Sequence, residues 1–148
     1  MEIFRLKSGD ERKVQELSQL FKKVFEMEVA ESASLEYCAK ILDNENSIFI
    51  AAEENGTLIG GLSAYILPSV HGHLLCYVFD LAVADHLQRK GTGTSLMSHL
   101  FEICKKLQIE GVFVNAENED DHAIKFYKKI GGETNEDVTL FWFPLNES

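Results

Sequence analysis

The sequence is short of several features that would place it outside the ordinary globular class. It has three cysteines, an odd number, widely spaced and lying in apolar-periodic segments. That argues against a disulfide framework and fits a reducing cytoplasm. No stretch approaches about 18 uninterrupted apolar residues, so nothing reads as membrane-spanning. The opening "MEIFRLKSGD" is charged and has no apolar signal-peptide core. Basic residues are scarce, with 14 Lys and Arg against 24 Asp and Glu, a formal charge of -10. Such a surface repels phosphate backbones, which argues against nucleic acid as the main partner. It suits a cationic small molecule or a basic peptide, or solubility alone. Repeats, linkers and low-complexity segments are also missing. What is present is 148 residues with 45% hydrophobic content, enough for one domain spanning 1–148 with a real core.

Periodicity lays out the elements. "EIFRL" (2–6) reads as a short strand. Ser8 with Glu11 has the spacing of a capping box, and Val14, Leu17, Leu20, Phe21, Val24 and Phe25 recur at helical intervals. A second helix is expected over 33–43, capped by Ser32 or Ser34. "SIFIAAE" (47–53) and "LIGGLSAYIL" (58–67) read as strands joined by "ENGT", whose Asn-Gly pair suits a type I′ hairpin turn. "LLCYVFDLAVA" (74–84) is a nearly continuous apolar run, as in a central strand covered on both faces. Asp80 alone interrupts it. Leu96, Met97, Leu100, Phe101, Cys104 and Leu107 mark an amphipathic helix. "GVFVNA" (111–116) is a strand, and "DDHAIKFYKKIGG" (120–132) a helix with Gly131 at its C′ position. "VTLFWF" (138–143) is expected to close the sheet or complete a homodimer interface. The order β-α-α-β-β-β-α-β-α-β describes an α/β domain with a mixed sheet.

The most informative stretch is "HLQRKGTGTSLM" (86–97). It lacks the spacing and lysine of a Walker A loop. It also has leucine where a dinucleotide fingerprint needs its third glycine. What remains is Gln88-Arg89-Lys90-Gly91-Thr92-Gly93, a strand-to-helix loop whose successive N–H groups, with Thr94, suit a pyrophosphate. Arg89 and Lys90 add positive charge on an otherwise acidic chain. Gln88–Gly93 fits the pattern Q/R-x-x-G-x-G/A. With "FDLAVADHLQRKGTGTSLM" before it and "AIKFYKKIGG" (123–132) after it, the chain resembles the GNAT superfamily of N-acetyltransferases. "GGLSAYILP", "YVFDLAVADHLQRKGTG", "VNAENEDDHAIKFYKKIG" and "LFWFPL" are similar, more narrowly, to the aminoglycoside 3-N-acetyltransferases of type I. The loop "SVHGHLL" departs from that pattern.

The resemblance implies a GNAT-like fold, a mixed central sheet with a splayed central strand pair and helices on both faces. It implies acetyl-CoA as cosubstrate and direct acetyl transfer to a primary amine. Leu81, Ala82 and Val83 then match the backbone that pairs with the pantetheine arm, and the N–H of Leu81 matches the donor to the thioester oxygen. Tyr127 matches the acid that protonates the departing thiolate, or is a core tyrosine. Asp80 is the base or an amine-binding acid, or caps the strand structurally, because a carboxylate in an apolar strand is costly without a cleft or partner. Glu117, Asp120 and Asp121, with Glu119, either contact a polycationic acceptor or form a helix cap and a solvated face. Asn115 is a weaker match to a cofactor contact. His71 and His73 lack a third ligand, so no metal is expected. Cys76 lacks a basic partner for acyl transfer. A polyamine, amino-acid or protein-amine acetyltransferase, and a non-catalytic acyl-CoA sensor, share the same motifs.

Overall fold

The computed structural model describes residues 1–28, 32–88 and 90–146. Within them the chain is an α/β domain built on a five-stranded mixed sheet. The strands are β1 (Glu2–Arg5), β2 (Ser47–Glu54), β3 (Thr57–Pro68), β4 (Leu74–Val83) and β5 (Gly111–Val114), ordered β1-β2-β3-β4-β5. β1 to β4 pair antiparallel; β5 lies parallel to β4. The helices are α1 (Glu11–Val24), α2 (Leu35–Asp43), α3 (Thr92–Lys106) and α4 (Asp121–Lys129).

Local chemistry explains most of these boundaries. Asn55 and Gly56 both take positive φ (53° and 78°), the requirement of the type I′ turn that joins β2 to β3. Ser34 caps α2 by accepting from the Tyr37 N–H at 3.0 Å. The capping box expected at Ser8 does not form. Gly9, at φ 101°, moves the helix start on to Asp10, so Glu11 receives the Gly9 N–H and Ser8 bonds Asp43 across to α2.

Two adjacent glycines show how the sheet holds helices on both faces. A Cβ on Gly61 would overlap Leu17 Cδ1 of α1, whereas one on Gly60 would meet Thr92 and Leu96 of α3 at 3.2 and 3.4 Å. Consecutive strand residues point to opposite faces, so α1 and α3 lie on opposite sides. One face buries Val14, Leu17, Phe21 and Cys38 against Phe49, Ala51 and Ala82. The other holds Leu96, Leu100 and Cys104, and Gly60 lets the first turn of α3 sit down beside the end of β4.

The chain divides into two compact units, Met1–Asn115 and Ala116–Ser148. In the second, α4 ends as its sequence foretold. Gly131 takes φ 105°, and the Gly132 N–H returns to the Tyr127 carbonyl at 2.8 Å. The expected closing strand is a correction. Residues 138–143 have the composition of a strand but form none in the described chain. Val138, Leu140, Phe141, Trp142, Phe143 and Leu145 are 69–93% exposed. β propensity measures how well a residue fits a pleated, half-buried surface, so composition alone makes no ladder.

Candidate active site

The site begins with a register change. Along β3 and β4 the partners run Gly61↔Ala82, Leu62↔Leu81 and Ser63↔Asp80, and then Ala64↔Val78. Phe79 is the extra residue, a β-bulge, and it stands 64% exposed. On the other side of β4 the parallel ladder with β5 stops at Val78↔Val114. Beyond that point β4 runs on without its neighbour, the splay that the resemblance implied.

Backbone direction along this free edge follows from one bond. The Ala84 N–H donates to Ile59 O at 2.8 Å, toward β3. Peptide groups alternate along a strand, so Ala82 also faces β3. Leu81 and Val83 face away, toward the side β5 has vacated. Leu81 and Val83 therefore turn their main-chain groups to that side, where the Val83 carbonyl accepts from the Gln88 side chain. Ala82 does not: its backbone pairs with β3 and its methyl is buried in the core.

A 3₁₀ turn over Asp85–Leu87 leads from β4 to α3. The Gln88 side-chain amide donates to Val83 O at 3.0 Å and to Asp85 Oδ1 at 3.2 Å, so this residue fastens the loop to the strand end. Arg89 lies outside the described residues. Lys90 is exposed. Gly91 is the N-cap of α3 at φ 87°, a left-handed conformation that L side chains rarely adopt, and no side chain caps the helix. The Gly91 carbonyl accepts from Ser95 at 3.0 Å. The N–H groups of Thr92, Gly93 and Thr94 belong to the first helical turn, which has no intrahelical acceptor for them. These donors and the positive end of the helix dipole make an anion-binding terminus a few residues from the splayed edge.

Asp80 turns toward the face that carries α1 and α2. It is half-buried, and Ser63 Oγ donates to its Oδ2 at 2.6 Å. Burial raises its pKa above the ordinary carboxylate range; the serine bond opposes that shift. Burial also raises the Tyr65 phenol, with the Asp80 carboxylate and Tyr37 adding to it. Tyr65, Phe79, Tyr77 and Phe113 form a row of rings with centroids 4.9–6.2 Å apart. Asn115, just after β5, donates from Nδ2 to Tyr77 Oη at 3.1 Å. Reading the sequence missed Ser63, although a polar residue inside "GGLSAYIL" is the same kind of signal that singled out Asp80.

Cys76 is wholly buried, and its thiol is pushed far up by the Cys104 thiol and by burial, which removes it as an accessible nucleophile. His71 and His73 stack on each other, with His73 Nδ1 3.4 Å from Glu110.

Within the second unit, Tyr127 lies on α4, partly buried and edge-on to Phe126 with centroids 5.2 Å apart. Burial, then the Asp120 carboxylate, raises its phenol pKa above the ordinary value. Asp120 caps α4 by accepting from the Ala123 N–H at 3.1 Å. Glu117 and Asp121 are exposed, Asp121 in the first helical turn.

Comparison with known proteins agrees with this geometry. The family model described as "Acetyltransferase (GNAT) family" matches residues 14–132. An aminoglycoside acetyltransferase, meta-AAC0020, from an uncultured soil metagenomic sample was crystallised in complex with sisomicin. It is 32% identical, with a TM-score of 0.93, over 98% of this chain and 96% of that one. A second aminoglycoside acetyltransferase from such a sample, HMB0005, is 30% identical with a TM-score of 0.91, over 98% of each chain. An uncharacterized N-acetyltransferase of Bacillus subtilis (strain 168), YhfO, is 29% identical over 106 residues, covering 71% of this chain and 70% of its own.

Proposed function

Because the chain belongs to the acetyltransferase (GNAT) family, and so is an acyltransferase, we propose that it moves acetyl from acetyl-CoA to a primary amine of a cationic acceptor. The acceptor we infer is an aminoglycoside, acetylated at its 3-N position as in the type I enzymes, with antibiotic resistance as the outcome. The observation that carries the reading is the free edge of β4 leading directly into a glycine-started helix. The 32% identical neighbour, an aminoglycoside acetyltransferase crystallised with sisomicin, supports the acceptor class. So does the acidic charge of -10.

Acetyl-CoA supplies, when bound, an activated acyl carbon and a thiolate leaving group. The chain's residues do the rest. The main-chain groups of Leu81 and Val83 align the extended arm, with Ala82 keeping the strand flush against its neighbour. The N–H groups from Lys90 to Thr94 hold the pyrophosphate, Gln88 fixes their loop, and Arg89 and Lys90 add charge. Asn115, tied to Tyr77, borders the same edge. The Leu81 N–H faces the carbonyl oxygen as negative charge develops there; one such donor is worth about 3 kcal/mol.

An alkyl ammonium has a pKa near about 10.4 and must lose a proton before it attacks. Asp80 takes that proton, and the raised pKa makes it a stronger base than an ordinary aspartate. Tyr127 gives its phenolic proton to the departing sulfur as the carbon–sulfur bond breaks, and the second proton lost by the newly acylated nitrogen restores the phenol. Glu117, Asp120 and Asp121 attract the remaining ammonium groups of the acceptor.

Release of free coenzyme A thiol tests the reading. Turnover on sisomicin or kanamycin-like amines should exceed that on spermidine by an order of magnitude or more. Faster turnover on spermidine or a peptide amine moves the acceptor, and tight acetyl-CoA binding without any turnover makes the protein a sensor.

The exposed apolar tail supports a homodimer. Three aromatic and three aliphatic side chains in eight residues offer on the order of several hundred Å², more than a monomer ordinarily leaves open. Light scattering after gel filtration should give twice the 16.7 kDa chain mass, and Trp142→Asp with Phe143→Asp should return the monomer. The three cysteines are free and buried, consistent with a cytoplasmic site of action.

A further inference from the structure

The bulge at Phe79 decides where Asp80 points. Had β3 and β4 kept the register of Ala64↔Val78, Ser63 would oppose Phe79 and Asp80 would oppose Leu62. Leu62 is wholly buried, on the face that packs against α3. A slip of one residue exchanges the faces of a strand. The extra residue therefore turns the carboxylate out of the α3 core and brings it opposite Ser63, whose hydroxyl lies 2.6 Å from Oδ2. Ser63 itself is only 4% exposed, so its hydroxyl needs a partner as much as the carboxylate does.

We propose that Ser63 is a positioning residue. It holds Oδ2 of Asp80, fixes the plane of the carboxylate and leaves Oδ1 as the atom that takes the proton from the amine. This rests on the reading of Asp80 as the base. The surroundings give the serine unusual weight. Tyr65 on β3 feels the carboxylate and Tyr37 of α2, and burial with both of them raises its phenol, so it faces Asp80 as a neutral group. α1 presents Leu17 to this face, and its Lys13 is engaged with Glu53 at 2.7 Å. Among the described residues, the serine hydroxyl is the group that favours ionised Asp80 against the effect of burial.

The test is a carbon-13 titration of the Asp80 carboxyl beside the pH profile of kcat/KM, on the wild type and on Ser63→Ala and Ser63→Thr. A hydrogen bond to a charged group corresponds to about one to two pH units. Ser63→Ala should raise the carboxyl midpoint by that amount and move the acidic limb of kcat/KM upward with it. Ser63→Thr, which keeps the hydroxyl, should restore both. Ser63→Cys, a weaker donor of similar size, should lie between and serves if the alanine variant does not fold. A carboxyl midpoint that stays put, with only the melting temperature changed, overturns the proposal. A midpoint that moves while the kinetic limb does not confirms the serine's hold on the carboxylate and sinks the reading of Asp80 as base.

Discussion

Gly91→Glu is expected to weaken acetyl-CoA binding by about a hundredfold or more while the protein stays folded. Two effects act together. The backbone at Gly91 has φ 87°, so any L side chain there costs about 1–2 kcal/mol and tends to pull the first turn of α3 out of shape. A carboxylate beside the pyrophosphate adds repulsion, about 4 kcal/mol for unit charges some 4 Å apart near a protein surface. The strain is small against the stability of a whole domain, and a Cβ at this position adds no clash, because it meets nothing within 4 Å. Calorimetric titration with acetyl-CoA measures the loss, and thermal unfolding reports the fold. Gly91→Ala separates the causes: it carries the strain without the charge and should lose much less affinity. Unchanged binding in Gly91→Glu would place the pyrophosphate somewhere other than this loop.

Tyr127→Phe should lower kcat by about a hundredfold to ten-thousandfold, with acetyl-CoA affinity nearly unchanged. The substitution keeps the ring, and with it the edge contact to Phe126, and removes only the hydroxyl. The direction of the pKa shift suits an acid. Burial and Asp120 hold the phenol above its ordinary value near about 10, so it remains protonated at every pH where a thiolate with a pKa near about 8.5 needs a proton. In the wild type, activity should therefore persist on the alkaline side until the pH passes that raised value, and the variant should lose this dependence. Pre-steady-state thiol release distinguishes a slowed chemical step from slowed product release. A kcat equal to wild type would assign protonation of the sulfur to water or another group.

The parts of the site legible in the sequence are those fixed over short distances. Asn55-Gly56 takes positive φ twice because those two residues tolerate it, whatever surrounds them. Gly91 before Thr92 starts α3 for the same local reason, and the apolar run from Leu74 to Val83 forms the expected strand, though with Phe79 exposed rather than covered. The failures lie where a residue's role depends on a partner far along the chain. The Ser8–Glu11 spacing fits a capping box, yet Ser8 pairs instead with Asp43, 35 residues away. Val138 to Phe143 has the composition of a strand and forms none among the described residues.

The amino-acid order by itself determined every strand but the expected last one, the four helices, the loop of main-chain donors and the candidacy of Asp80. These follow from side-chain periodicity, glycine stereochemistry and the cost of a carboxylate in an apolar strand, which act within a few residues; Tyr127 became a candidate through the family resemblance. Tertiary structure alone decided that β4 gains one residue at Phe79, that β5 leaves it after Val78, and that Asp80 consequently meets Ser63 rather than the α3 core. Register is a property of two strands at once, settled by which faces they bury together.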